Sequence, residues 1–304
     1  MKKFIVRTFV FVFPIIFLLA SLEFFLRNNN SSYYALKRLA LDNEAASTEV
    51  LVLGSSSENS GINPEIFHLK GINLAFIGGT TVDLFHFLLK KNIRRFPSLK
   101  MVIIPISTFT FFATEEREEM KFRKILLNRY FDLYEEKFAN PISRIMVYNL
   151  GLKTALKTIF IKKRININDS GFEKIEGTNT EHLTNEYGKK TVARHIGKTD
   201  EYLDFKIYER NLKILNKMIK ILKQKSIEPI LITTPTHRSY YKNLDVKIIN
   251  IINNTVENIT KHHKIKYYNY LKDDRFVDSD FYNCDHLNYN GAKKFSKILD
   301  DEVL

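Results

Sequence analysis

The chain has 304 residues, with 47 Lys and Arg against 34 Asp and Glu, and a formal net charge of +13 at pH 7. Its content of 44% hydrophobic and 13% aromatic residues is enough for a buried core, so we expect a globular protein of one large or two small domains. The single cysteine, Cys284, excludes an intrachain disulfide and a metal cluster of the Cys-x-x-Cys kind. The lysines are scattered along the chain, which favours a solvated basic surface.

The N-terminal segment is apolar over residues 8–26 and follows three basic residues. A cleaved secretory signal and an uncleaved signal anchor both fit this pattern. Cleavage requires small residues in an Ala-x-Ala arrangement, whereas Leu18 and Leu19 stand just before Ala20. We therefore predict an uncleaved transmembrane helix over residues 1–27, since about 20 apolar residues are enough to cross a bilayer. The basic residues before it predict a cytoplasmic N-terminus and an extracytoplasmic domain.

The rest of the chain divides by composition. Residues 28–48 are polar and include an Asn-Asn-Asn-Ser-Ser run, which predicts a flexible linker. The domain is predicted over residues 49–304. Within it, the regular apolar periodicity loosens over residues 115–200 into charged helical segments and a polar loop. This region is therefore predicted to form a helical insertion or cap.

The first predicted strand carries the first candidate for catalysis. Residues 49–53 are an aliphatic run that stops at Gly54 and three serines, as expected for a buried strand that ends in a tight turn. Ligands of parallel α/β sheets bind beyond the carboxyl ends of the strands, so Ser56 is a candidate nucleophile. The same pattern also fits a loop, or a helix N-cap whose hydroxyl binds free backbone N–H groups.

Four further aliphatic runs predict the rest of a sheet. With the first, the predicted strands are residues 49–53, 72–76, 100–106, 229–235 and 265–270. The segments predicted to be helical are residues 62–67, 82–91, 201–225, 245–261 and 290–304. Parallel neighbours need crossover connections, which helices supply, so we predict an α/β fold: a three-layer α/β/α sandwich with a five-stranded parallel sheet.

A second informative motif precedes the last helix, where Asp285, His286, Leu287 and Asn288 are followed by Gly-Ala. Together with the Gly-Ser-Ser turn, this motif resembles the SGNH (GDSL-like) hydrolase superfamily. The resemblance covers residues 49–304 apart from the central segment and implies a flavodoxin-like fold. It also implies that Ser56 is the nucleophile and His286 the general base that takes its proton.

The resemblance extends to an oxyanion-binding glycine after the second strand, for which Gly78 is the best match and Gly79 the alternative. Two family features are replaced. The asparagine of the oxyanion site after the next strand is replaced by Ser107 and Thr108. The acid three residues before the histidine is replaced by Asn283.

The replacement of the acid leaves open which group orients the imidazole. Besides Asn283, the alternatives are Asp285, Asp280 and a backbone carbonyl. We expect a contact from Asp285 to be strained, because it is adjacent to His286 in sequence.

The predicted function is a membrane-anchored serine esterase or O-acyltransferase. The substrate predicted for it is an acylated envelope glycan or a small ester. The chain also has a looser similarity to membrane-anchored proteins that accompany polysaccharide or teichoic-acid acylation, so a membrane acyltransferase is a candidate partner.

No cofactor or metal is expected, since the sequence has no Gly-x-x-x-x-Gly-Lys nucleotide loop. Nucleic acid is not an expected partner, because no basic-aromatic recognition motif occurs. The alternative is a catalytically silent module that binds or scaffolds acylation machinery.

Overall fold

A computed structural model of the chain describes residues 1–27, 32–78, 81–114, 121–132, 145, 147–148, 151–153, 156, 165–197 and 199–304. The chain divides into two compact units, which are described separately. The first contains Met1–Leu36 and Glu118–Ile165, and the second contains Lys37–Arg117 and Asn166–Leu304.

The described helices are, in chain order, α1 (Lys2–Arg27), α2 (Tyr33–Glu44), α3 (Ser56–Gly61), α4 (Val82–Asn92), α5 (Thr108–Phe112), α6 (Lys121–Phe131), α7 (Asn185–Ile196), α8 (Thr199–Tyr202), α9 (Phe205–Gln224), α10 (Arg238–Tyr241), α11 (Val246–His263) and α12 (Tyr289–Glu302). The described strands are β1 (Val50–Val52), β2 (Gly71–Asn73), β3 (Met101–Pro105), β4 (Glu228–Thr233), β5 (Lys266–Asn269), β6 (Phe281–Asn283) and β7 (His286–Leu287).

The first unit contains the apolar helix α1. Its segment Lys2–Leu26 has a mean hydropathy of 2.5 and is long and apolar enough to cross a membrane, by length and composition. Near its carboxyl end, Leu22 and Leu26 pack against Val147, whose backbone N–H donates to the Glu23 carboxylate at 2.9 Å. The predicted N-terminal apolar helix is therefore present. The side of the membrane on which its ends lie stays a prediction.

The second unit is built on a parallel sheet with the strand order β2-β1-β3-β4-β5. β1 lies between β2 and β3, so the segments that follow these three strands lie at the same edge of the sheet. This arrangement confirms the predicted α/β class and the predicted five parallel strands.

β1 and β3 are buried on both faces, as their uninterrupted aliphatic sequences predict, whereas every residue of the edge strand β5 is exposed or half-buried. In β1, Val50 and Val52 face a cluster that includes Phe295 and Leu299 of α12, whereas Leu51 points the opposite way and is 1% exposed. This alternation follows from the two-residue period of a strand. α12 therefore covers one face of the sheet with the apolar side of an amphipathic helix.

The predicted elements differ from the structure in detail. The segment predicted as a helix at residues 62–67 is one 3₁₀ turn, Pro64–Ile66, with the Asn63 side chain as its N-cap. β2 ends at Asn73 rather than at residue 76, because the Asn73 side chain accepts the backbone N–H of Ala75. The flexible linker predicted at residues 28–48 is wrong over most of its length, since residues 33–44 form α2 and residues 45–47 a 3₁₀ turn. Residues 28–31, Gly79 and much of the predicted insertion lie outside the described residues.

Candidate active site

The turn after β1 positions Ser56 at the start of α3. Ser55 is the N-cap: its hydroxyl accepts the N–H of Ser57, and its own N–H donates to Glu58 at 2.7 Å. Gly54 is required beside this capping box, since a Cβ there would lie 2.4 Å from the Cβ of Glu58. The capping interactions use the hydroxyl of Ser55, and the hydroxyl of Ser56 points elsewhere.

The Ser56 hydroxyl contacts the histidine of the second motif. Its Oγ lies 2.8 Å from Nε2 of His286, a hydrogen-bond distance between residues 230 positions apart in sequence. Ser56 is half-buried, and the His286 side chain keeps 17% of its surface exposed. The pair is therefore within reach of a small molecule from solvent.

A short antiparallel hairpin of β6 and β7 holds His286, with Asn283 paired to His286 in register. Asn288, the N-cap of α12, connects this hairpin to the helix. Its side-chain amide donates to the carbonyl of Ser279, just before β6, at 2.7 Å, and its side-chain carbonyl oxygen accepts the N–H groups of Asn290 and Gly291. The hairpin and the start of α12 are thus one hydrogen-bonded unit.

Two oxygen atoms lie near the other ring nitrogen of His286. Nδ1 is 3.0 Å from Oδ1 of Asn283 and 3.3 Å from Oδ1 of Asp285. Both oxygens accept hydrogen bonds, so they favour the tautomer that carries its proton on Nδ1. Nε2 is then free to accept the Ser56 hydroxyl proton.

The Asp285 carboxylate reaches the ring at ion-pair distance, whereas the hydrogen bond of Nδ1 goes to Asn283. The Asn283 side chain accepts the backbone N–H of Asp285 at 3.1 Å, and the Ser57 hydroxyl donates to the Asp285 carbonyl at 3.2 Å. These bonds close the turn between β6 and β7 and direct the carboxylate towards the ring. By contrast, the Asp280 carboxylate forms an ion pair with Lys294 at 2.6 Å and accepts the N–H of Val277.

The electrostatics of the pair follow from this geometry. Burial alone would lower the pKa of His286, but the Asp285 carboxylate, with a smaller contribution from Glu58, raises it above its usual value. Burial alone would raise the pKa of Asp285, but His286, and more weakly His195 and Arg194, lower it to about 2. Asp285 is therefore ionised at neutral pH.

The sequence did not indicate a second histidine beside the site. Nε2 of His195, near the end of α7, lies 3.7 Å from the Asp285 carboxylate, and its Nδ1 lies 2.9 Å from the Tyr240 hydroxyl. Burial, with Arg194 and His286, lowers its pKa to about 4, so His195 is neutral at neutral pH. No motif surrounds His195, and α7 falls in the segment predicted as an insertion.

Glu58 is a second residue that the sequence did not single out. It is 2% exposed, and besides Ser55 it contacts the Thr234 hydroxyl at 3.3 Å. Burial raises the pKa of its carboxyl group, an effect that its hydrogen bonds to Ser55 partly offset. Its position three residues after a serine N-cap is the sequence pattern of a capping box, which could have identified it.

The two predicted oxyanion residues follow the strands on either side of β1. Gly78 lies exposed after β2 with a φ of 89°, a conformation that favours glycine. Ser107 follows β3 as the N-cap of α5, where its hydroxyl accepts the N–H of Phe109 at 3.2 Å. The Ser107 oxygen is therefore an acceptor in capping, which does not use the proton of the hydroxyl.

Other reactive groups near the site have structural partners. Cys284 is fully buried, and burial raises the pKa of its thiol to about 12, so it stays protonated. His237 caps α10 by accepting the N–H of Ser239. Among the described residues, no group of three or more His, Cys, Asp or Glu could hold a metal ion.

No protein-family model matches the chain, and no curated protein matches it. The geometry alone therefore determines what the site can do. A hydroxyl hydrogen-bonded to an imidazole, whose second nitrogen faces a carboxylate and an amide oxygen, is the arrangement of an activated serine nucleophile. It is suited to acyl transfer.

Proposed function

We propose that the protein is a membrane-anchored, extracytoplasmic serine esterase or O-acyltransferase of the SGNH type that acts on an acylated envelope glycan or a related ester. The 2.8 Å contact between Ser56 Oγ and His286 Nε2 carries this proposal. It joins the two motifs on which the family resemblance rests, and the resemblance itself is part of the proposal.

The topology supports the finer fold assignment, a flavodoxin-like three-layer sandwich. The order β2-β1-β3-β4-β5 is the strand order of flavodoxin-like sheets. In such sheets the ligand lies between β1 and β3, where the order of the strands reverses. Ser56 follows β1, next to that position. The burial of β1 on both faces also fits helices on both sides of the sheet.

In the proposed first step, Ser56 attacks the acyl carbon of the ester. As the Oγ–carbon bond forms, the hydroxyl proton moves to Nε2 of His286 and the carbonyl oxygen becomes an oxyanion. The ionised Asp285 and the Asn283 oxygen stabilise the imidazolium through Nδ1–H. His286 then returns the proton to the leaving alcohol as the ester bond breaks, and the acyl group stays on Ser56.

In the second step, a hydroxyl group attacks the acyl-serine and His286 accepts its proton. Water as the nucleophile gives an esterase, and a glycan hydroxyl gives an O-acyltransferase. Collapse of the second tetrahedral intermediate returns the proton to Ser56 Oγ and frees the product. The same residues serve both outcomes, because only the nucleophile changes.

The oxyanion needs hydrogen-bond donors. The proposed donors are the backbone N–H groups of Ser56 and Gly78, since the first N–H groups of a helix have no intrahelical acceptor and Gly78 follows the neighbouring strand. The Ser107 hydroxyl is a further candidate, since its oxygen caps α5 as an acceptor and its proton can still be donated. A missing side-chain donor of this kind costs about 10²–10³ in turnover.

A catalytically silent binding or scaffolding module is the second candidate, and the presence of Ser107, Thr108 and Asn283 in place of the family's oxyanion asparagine and acid is the observation that favours it. Such a module would hold acylation machinery or its glycan, with a membrane acyltransferase as its partner. It would keep the fold of the site without needing its proton transfers.

One set of variants tests both candidates. The full chain, purified in detergent, is assayed on p-nitrophenyl acetate, and labelling by a fluorophosphonate is located by mass spectrometry. We expect labelling at Ser56, loss of turnover in Ser56→Ala and His286→Ala, and turnover within about threefold of wild type in Ser98→Ala, whose exposed hydroxyl donates to the carbonyl of Ala46. Turnover that is equal in Ser56→Ala and wild type would refute the enzyme.

A further inference from the structure

A basic groove of about 620 Å³ lies between α9 and α11, and none of its residues belongs to the Ser56 site. Three exposed lysines, Lys213, Lys217 and Lys220, line its α9 side. They are spaced by four and three residues, so they project from one face of the helix. On the α11 side the exposed residues are Asn258 and His262.

The groove contains uncompensated positive charge. Its described lining includes no Asp or Glu, and within the described part of the chain none of the three lysines forms an ion pair. Some exposed lysines elsewhere are paired: Lys100 with Glu49 at 2.6 Å, Lys247 with Asp200 at 3.1 Å, and Lys297 with Asp301 at 2.7 Å. The groove therefore brings together, on one face of α9, three lysines that are unpaired among the described residues.

Two histidines that do not line the groove are close enough to its lysines for their charge to act on them. Burial lowers the pKa of His86 on α4, and Lys217 and Lys90 lower it further. Burial also lowers the pKa of His263, and His262, Lys220 and Lys223 act in the same direction. The charged groups that act on both histidines are all basic.

The shape of the groove limits the ligand. Lys213 and Lys220 are seven residues apart, or about 10 Å along the helix axis. Cations at this spacing match several anionic groups along a chain better than one phosphate. Between the helices, the floor is partly apolar, with buried Ile259 and half-buried Leu212, and so offers a surface for the carbon skeleton of a polymer.

We propose that this groove binds a linear polymer that carries phosphate or carboxylate groups. The lysines pair with the anionic groups, and the floor contacts the chain between them. An anionic membrane surface is disfavoured, because a flat layer of headgroups meets the rim of a groove and not its floor. The binding does not depend on catalysis at Ser56.

Binding is measured with the full chain in nanodiscs of phosphatidylcholine, using short-chain inorganic polyphosphate and polygalacturonate as probes and uncharged dextran as the control polymer. The groove variant is K213Q/K217Q/K220Q. The matched control is K100Q/K247Q/K297Q, which removes the same formal charge from lysines that are paired. Thermal unfolding verifies that both variants fold.

We expect at least one anionic polymer to bind wild type, with affinity that falls as salt rises. The groove variant should bind at least tenfold more weakly, with a salt dependence shallower by about two in log–log slope, since each lost contact with a flexible polyanion contributes about 0.7. The control should stay within about threefold of wild type. Equal weakening in both variants, or no binding of either polymer, overturns the proposal.

A second arm tests for membrane lipid. In nanodiscs of equal parts phosphatidylcholine and phosphatidylglycerol, acetylation of the three groove lysines is followed by mass spectrometry. Protection by phosphatidylglycerol without protection by either polymer would assign the groove to lipid headgroups and overturn the proposal. Because all readouts are binding or footprinting, Ser56→Ala should behave as wild type, and an inactive site would leave these results interpretable.

Discussion

The carboxylate of Asp285 should be the group that makes His286 an effective base. Its Oδ1 lies 3.3 Å from Nδ1, so the attraction to an imidazolium is about 1 kcal/mol in a water-like dielectric and about 5 kcal/mol at an effective dielectric constant of about 20. Asp285 is 5% exposed, which places the value between these limits. We take about 3 kcal/mol, or roughly a hundredfold in rate.

The perturbation is Asp285→Asn, which keeps the size of the side chain and removes its charge. Asn283 still accepts the Nδ1–H at 3.0 Å, so the tautomer is retained and only the charge is lost. We expect kcat/KM on p-nitrophenyl acetate to fall roughly a hundredfold, with the folded state verified by thermal unfolding. Asp280→Asn is the control, since that carboxylate pairs with Lys294 and should change turnover by less than about threefold.

The reverse change, Asn283→Asp, should do little. It places a second carboxylate beside one that already faces the ring, and like charges at this distance oppose each other's ionisation. Turnover should stay within about threefold of wild type. If Asn283→Asp instead raised turnover tenfold while Asp285→Asn left it unchanged, the amide would be the sole orienting group and the reasoning from the 3.3 Å contact would be refuted.

Three further outcomes are expected. A base must be neutral and the pKa of His286 is raised, so kcat/KM should rise with pH through a midpoint above the ordinary value of 6.5. The midpoint should fall when the Asp285 charge is removed. A midpoint at or below 6.5 in wild type would contradict this. Gly54→Ala should lower the free energy of unfolding by about 1–3 kcal/mol in urea titrations, because its Cβ would overlap a capping side chain, whereas Gly61→Ala, whose Cβ meets one methyl at 3.7 Å, should be close to neutral. Burial lowers the pKa of Lys37, so the folded state binds fewer protons than the unfolded state and the free energy of unfolding should rise with pH towards 10.5. Lys37→Met should remove this rise. Equal pH dependence of the two proteins in urea titrations would show that Lys37 is not the cause.

Most of the sheet was predictable because β1, β3 and β4 lie in continuous aliphatic runs. Val50–Val52 and Met101–Pro105 are buried along their whole length, so composition alone indicates them. The end of β2 was not predictable, because it depends on where the Asn73 side chain folds back onto the backbone. That choice is set by local hydrogen bonds and leaves no trace in hydropathy.

The core of the candidate site was predictable from two motifs, and the structure brings Ser56, His286, Asn283 and Asp285 together. The contribution of His195 was not predictable, since it reaches Asp285 from α7 through tertiary contacts that no local pattern encodes. Asp285 was among the predicted orienting groups, but the turn geometry that brings its carboxylate to the ring was not predicted. It depends on the bonds that close the turn between β6 and β7, and adjacency in sequence does not reveal them.

The separation of Ser56 from His286 by 230 residues has a kinetic consequence. Contacts between distant parts of a chain form late, because closing a long loop costs entropy before the contact can compensate for it. The serine turn needs only β1 and α3, whereas we expect the hairpin that carries the proton acceptor to dock after the central strands have paired. Nucleophilic character should therefore appear only once the sheet is complete, so that partly folded chains carry an inert serine.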